Sequence, residues 1–232
     1  GRPILRDPAV PSFAPEVPSF APEVLVLEST YGDRLHAPEA ETLESLVQVV
    51  HRTVARGGRV LVPAFAVGRT QDLLYLLSDL YRQKRLPPLY IYVDSPMALK
   101  ATEITLKHAD LLDADTRAMF DWLRMNRERP QINFIHDVDE SMALANIKSG
   151  AVIISASGMC TGGRIKHHLA NNLGRKECAV IFTGFQANGT LGRRIVDGAK
   201  SVRIFGEEIP VRASVHTIGG LSAHADQAEL LG

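Results

Sequence analysis

The stretch GGLSAHAD, Gly219 to Asp226, places Ser222, His224 and Asp226 within five residues. A hydroxyl, an imidazole and a carboxylate this close are materials for proton transfer, because imidazole is the side chain that exchanges a proton near neutral pH. The same spacing also describes a helix start, with Ser222 or Asp226 as the cap and His224 in a structural role. Far upstream, Glu28 closes the apolar run VLVLEST. A carboxylate at the end of a buried strand is costly unless paired. Glu28 is therefore either a structural ion-pair partner or a group that orients a histidine.

Three other stretches share one device. SASGMCTGGR (155–164), PAFAVGRTQDLL (63–74) and GFQANGTLGRRI (184–195) each follow a predicted strand and open a predicted helix. Small residues let backbone N–H groups approach an anion, and a helix N-terminus favours that anion by about 0.3–1 kcal/mol. The candidate phosphate contacts are Ser157, Gly158, Thr161, Gly162, Gly163, Arg69, Thr190, Arg193 and Ser222. An arginine in a first helical turn opposes the helix dipole, which points to a shared anion. The alternative is a set of tight turns that need glycine for their backbone angles, with arginines solvated on surface helices. Three such loops at one sheet edge would form a polyanion track.

The chain contains no GxGxxG and no GxxxxGK[ST], so neither dinucleotide nor P-loop nucleotide binding is supported. None of its eight histidines stands at metal-ligand spacing from another, and HxH and HExxH are absent. His167 and His168 are adjacent on a predicted helix, about 100° apart, and are expected on a solvated face rather than on one ion. No residue of this chain is expected to ligate a metal.

The elements that must hold these groups follow a regular alternation. VLVLEST, RVLVPAFAVG, PLYIYVDSP, INFIHDV, AVIISASG and CAVIFTGF read as strands, VLVLEST as a buried one. Between them lie helical patterns, among them APEAETLESLVQVVHRTVARGG, with Leu43, Leu46, Val47, Val50 and Val54 at helical spacing before Gly57 and Gly58. Further helices are predicted at Leu99 to His108, Ala114 to Asn126, Glu140 to Lys148 and Gly163 to Leu173. KSVRIFGEEIPVRASVHTI reads as paired strands. Apolar strands alternating with helices imply an α/β fold, a parallel sheet covered on both faces. Ligands of such sheets bind beyond the carboxyl ends of the strands, where the loops above begin.

Bulk properties narrow the function. The 232 residues carry 26 basic and 26 acidic side chains, so nucleic-acid binding would rest on local patches rather than net charge. No apolar run reaches the roughly 18 residues of a membrane span, and no signal-peptide pattern precedes the first element. Cys160 and Cys178 stand alone, which fits a reducing, cytoplasmic compartment. PSFAPEV at Pro11 to Val17 recurs unchanged at Pro18 to Val24 and reads as a local duplication in a linker.

Taken in order, LVLESTYGDR, VLVPAFAVGRTQDLLYLL, YVDSPMA, IISASGMCTGGR, TGFQANGTLGRR and GLSAHAD resemble the β-CASP branch of the metallo-β-lactamase superfamily. That resemblance implies a three-layer, Rossmann-like β-CASP domain at residues 33–221. It would be flanked by remnants of an αββα hydrolase fold at 24–32 and 222–232, with a linker at 1–23. It implies a parent protein that hydrolyses single-stranded RNA with two zinc ions held by an HxHxDH segment, which this chain lacks. His224 maps to the family's motif B histidine, expected to contact the scissile phosphate and assist the leaving oxygen. Glu28 maps to its motif A carboxylate, expected to hydrogen-bond a motif C histidine that has no counterpart here. The implied partners are single-stranded RNA, the missing hydrolase half and a second copy of the chain. By this reading the chain alone binds no zinc and is inactive. The alternative is an inactive RNA-binding or scaffold module of the same fold.

Overall fold

A computed structural model describes residues 23–24, 26–126 and 129–231. Among them, β1 (Arg59–Pro63), β2 (Tyr90–Val93), β3 (Gln131–Phe134), β4 (Ala151–Ser155), β5 (Ala179–Phe182) and β8 (Ser214–Thr217) form one sheet in the order β3-β2-β4-β1-β5-β8. Every pairing in it is parallel. Every residue of RVLVP, AVIIS and AVIF is buried, as befits central strands covered on both faces.

Side-chain alternation divides the core. Val60 and Val62 of β1 pack with Leu46 and Val50 of α1 (Glu39–Ala55) and with Leu73, Leu77 and Leu80 of α2 (Arg69–Arg82). Leu61 points the other way, into a cluster with Ile165 and Leu169 of α6 (Ile165–Asn172) and Ile195 of α7 (Leu191–Val196). The sheet thus has α1 and α2 on one face and α6 and α7 on the other. α1 follows its sequence pattern: Leu46, Val47 and Val50 are buried, and Leu43 and Val54 pack at the margin. Glu39 and Glu41 in its first turn and Arg52 in its last complement the dipole.

α3 (Pro96–Lys107), α4 (Ala114–Met125) and α5 (Val138–Ala143) complete the connections. Ser95 and Asp113 cap α3 and α4 by accepting from Ala98 N and Thr116 N. The expected α/β architecture is therefore present, a parallel sheet between two helical layers.

One expectation fails. VLVLEST is not a buried strand: no strand is formed over 26–30, and Val26 is 92% and Leu27 55% exposed. A strand needs a hydrogen-bonded neighbour, and among the described residues this stretch is followed only by the isolated Tyr31–Asp226 bridge. The terminal strands are paired as expected, in two places. β6 (Ser201–Ile204) and β7 (Glu207–Pro210) make a separate antiparallel hairpin, whereas β8 adds to β5 at the edge of the main sheet. The duplicated heptad lies, apart from Glu23 and Val24, outside the described residues.

Candidate active site

β1 sits between β4 and β5, and the helix that follows it lies on the opposite face from those that follow its two neighbours. Loops leaving adjacent strands for opposite faces part at the sheet edge and leave a crevice. A cavity of about 460 Å³ occupies that place. Phe65, Val67 and Arg69 after β1, Gly158 and Met159 after β4, and Phe185 and Gln186 after β5 line it, and Ser222 and His224 close one side.

His224 is held by groups nearly two hundred residues away. Its Nδ1 lies 2.8 Å from Glu28 Oε2, and Glu28 Oε1 accepts from the Ala225 N–H at 3.0 Å. The two strands of chain are stitched further by the His36 ring nitrogen 2.8 Å from the His224 carbonyl and by Gln227 N donating to Arg34 O. Asp226 supplies the expected cap: its Oδ1 accepts from Ala228 N and Glu229 N, while Glu229 Oε2 reaches back to Asp226 N. This reciprocal box starts α8 (Gln227–Leu231) and fixes the direction in which the backbone leaves His224. Ser222 is buried and accepts from His224 N at 3.1 Å, so it shapes the turn. The hydrogen bond from the Ala225 N–H, joined by those of Thr30 and His224, outweighs desolvation and holds the Glu28 carboxyl below the ordinary carboxylate range. Glu28 is thus an anion at neutral pH, and among the described residues the histidine it bonds is His224.

Of the candidate phosphate contacts, Arg69, Gly158 and Ser222 reach the cavity. Arg69 is mostly buried and lies 3.3 Å from Asp72, yet its Nη1 completes no hydrogen bond among the described residues. Burial pushes the Arg69 guanidinium down and the Asp72 carboxyl up, each partly offset by the other's charge. Gln186 joins two of the loops, donating through Nε2 to Gly158 O at 3.1 Å, with its Oε1 left unpaired and buried.

Ser157, Thr161, Gly162 and Gly163 form the turn behind the cavity wall instead. Ser157 Oγ contacts Gly162 N and O and Thr161 Oγ1. Gly163 adopts φ +78, and a Cβ there would run into the Ala156 carbonyl. Thr190 caps α7 through Arg193 N, and Arg193 pairs with Asp197 and faces an adjoining hollow of about 240 Å³ beside Tyr31 and His36. The three loops therefore gather at one edge without making one continuous track.

The solvated-face expectation holds for His167, which is exposed and stacks on Phe205 at 4.5 Å, and fails for His168. His168 is 4% exposed and bonds Asp94, itself fully buried, at 2.6 Å. Asp94 also accepts from Ser141 at 2.6 Å and from Arg164 at 2.8 Å. α6 packs one face on the sheet, and residues about 100° apart on it can differ in burial, so His168 turns inward where a buried carboxylate receives it. Burial raises Asp94, but the bonds from His168, Ser141 and Arg164 together prevail and leave it below the ordinary value. The Arg164 bond pins the end of the 156–163 turn to the end of β2.

Phe65, Phe185, Gln186 and Asp94 lie in the stretches that follow strands, Phe65 to Arg69, Asp94 to Pro96 and Gly184 to Thr190, which sequence position marks as ligand-facing without giving any of the four a chemical role. The signal was position, since all four fall just after strands. Among the described residues no group of three or more His, Cys, Asp or Glu stands together as a metal site.

Comparison with known proteins gives this architecture a family. The Beta-Casp domain model matches residues 70–195, more than half of the chain, and the Zn-dependent metallo-hydrolase RNA specificity domain matches 208–232. Ribonuclease TTHA0252 of Thermus thermophilus is 39% identical over 229 residues, 98% of this chain and 51% of that protein. The RNase J-like protein of Methanocaldococcus jannaschii is 35% identical over 210 residues, 90% of this chain and 48% of its own length. Transcription termination factor FttA of Pyrococcus abyssi is 36% identical over 218 residues, 89% of this chain and 33% of its length. The chain spans about half or less of the length of these relatives.

Proposed function

The chain belongs to the β-CASP family of the metallo-β-lactamase superfamily, and from that premise we propose that it is the β-CASP portion of a zinc-dependent ribonuclease hydrolysing single-stranded RNA. The observation that carries this reading is the cavity at the carboxyl end of β1, which is lined by Arg69 and by His224, itself bonded to Glu28. On this reading residues 33–221 form the RNA-binding lobe, and 24–32 and 222–232 return toward a hydrolase fold. The zinc pair is held by residues beyond the described ones, in a cytoplasmic protein. Among the described residues no helix is long and apolar enough to cross a membrane.

The pair sets what His224 can do. With Nδ1 committed to an anionic Glu28, Nε2 is the ring atom left for substrate. Protonated, it donates to a phosphate oxygen and can pass its proton to the departing oxygen, help usually worth about 10²–10⁴-fold. Arg69 brings positive charge to the same cavity, and exposed Phe65 and Phe185 offer ring faces to bases. In the longer protein, His224→Ala is expected to slow cleavage by about 10²–10⁴-fold with zinc content unchanged. Loss of zinc, measured by elemental analysis, would make His224 a ligand and overturn the assignment.

A binding-only role is the second reading. Purified chain that shifts an RNA oligonucleotide without cutting it supports a binding lobe, and cutting by the chain alone contradicts both readings.

A further inference from the structure

All strands of the main sheet run parallel, so the amino ends of β2 and β3 lie at the opposite end from the Glu28–His224 cavity. A larger hollow, about 620 Å³, opens there. Three aromatic residues line it: Tyr81 from α2, Tyr90 at the start of β2 and Trp122 from α4. Tyr81 and Trp122 are half-buried, whereas Tyr90 is 46% exposed and backed by Tyr92 in a stacked arrangement, centroids 6.2 Å apart.

Arg82, Lys84 and Arg129 bring three cations, and no carboxylate lines the hollow among the described residues. Arg82 is engaged by Asp79. Arg129 spends one nitrogen on the Leu123 carbonyl at 2.7 Å, and Lys84 has no ion pair among the described residues. Asn126 and Gln131 add side-chain amides at the rim.

These features select one ligand chemistry. Among the described residues a purely apolar ligand would leave Lys84 and Arg129 without a charge partner, and a bare anion would make no use of the aromatic faces. A flat π-face joined to a phosphate uses both, as in single-stranded nucleic acid, whose bases stack on aromatic side chains while cations track the backbone. We propose that this hollow is a second nucleic-acid site, seating a nucleotide of single-stranded RNA with its base against Trp122 and its phosphate at Lys84 and Arg129. It lies outside the proposed cleavage cavity and would hold RNA at a distance from it.

Trp122 is the only tryptophan of the chain, so its emission reports on this hollow alone. The purified chain is titrated with decauridylate, with uridine 5′-monophosphate and with inorganic phosphate, reading Trp122 emission and, for labelled decauridylate, polarisation. Decauridylate is expected to quench Trp122 with an affinity that falls as salt rises. Lys84→Gln/Arg129→Gln is expected to weaken it at least about 5-fold and to flatten the salt dependence. Trp122→Ala, followed by polarisation, should weaken binding about 5- to 100-fold, with Trp122→Phe retaining most of it. His224→Ala should leave the quench intact, which separates this site from the proposed active site. Polarisation that rises with no change in Trp122 emission would overturn the proposal. So would unaltered binding by the double variant. Monophosphate binding tighter than decauridylate would make this a free-nucleotide site, and equal competition by phosphate would reduce it to an anion site; either result contradicts the RNA assignment.

Discussion

Asp94–His168 and Glu28–His224 are the same two functional groups in opposite surroundings. The first pair is 2.6 Å apart with side chains 0% and 5% exposed, and the carboxylate is saturated by Ser141 and Arg164 as well. The second is 2.8 Å apart with His224 55% and Glu28 40% exposed, at the wall of a cavity. A buried pair of this kind must be fully hydrogen-bonded to be tolerated, so it has no free valence for a ligand. An exposed pair contributes little to stability and keeps a ring nitrogen available. Burial, more than residue type, separates scaffold from site.

That contrast can be broken or sharpened by mutation. Asp94→Ala should have the largest effect on stability, about 3–5 kcal/mol, because it leaves Arg164 and His168 without their buried partner. Urea unfolding measures it, and a loss under about 1 kcal/mol would mean the cluster is looser than its geometry. The turn that Arg164 pins comes next. Gly163→Ala, at φ +78 and facing the Ala156 carbonyl, should cost more than about 1–2 kcal/mol. Gly162→Ala, with open space around it, should stay within about 0.5 kcal/mol. Equal effects would mean that the turn does not impose the left-handed angle on Gly163 alone.

Acid should act on the buried pair too. Asp94 is held below the ordinary value, so its contribution is complete above about pH 3.9 and is lost as pH falls through the lower folded value. Asp94→Asn should remove that acid limb from the stability profile, and an unchanged limb would assign it to other carboxylates. Glu28→Gln should move stability least of these variants, since its pair with His224 is exposed. In the longer protein, though, it should slow RNA cleavage about 10- to 100-fold by releasing the His224 ring. A fall in stability without a fall in rate would make Glu28 structural.

Much of this was legible in sequence. The alternation of buried strands with helices gave the parallel sheet, because strands covered on both faces read as unbroken apolar runs such as AVIIS. Glu28 and His224 could be singled out by ordered motifs, but their contact could not, since it joins segments 196 residues apart. His168 shows the limit of local patterning: a histidine beside an exposed histidine looks solvated until Asp94 arrives from another strand. VLVLEST failed for the complementary reason. Its composition favours a strand, but a strand also needs a neighbour, and among the described residues only the Tyr31–Asp226 bridge follows it. The cavity follows from which face each crossover helix takes, a property of topology that no single loop encodes.

The most direct test reads both pairs at once. Ring resonances of His224 and His168 are followed by NMR as single-stranded RNA is added to the chain, with His224→Ala and His168→Ala spectra for assignment. The account predicts a saturable shift of the His224 ring and none for His168. A His168 ring that shifts while His224 stays still would contradict it.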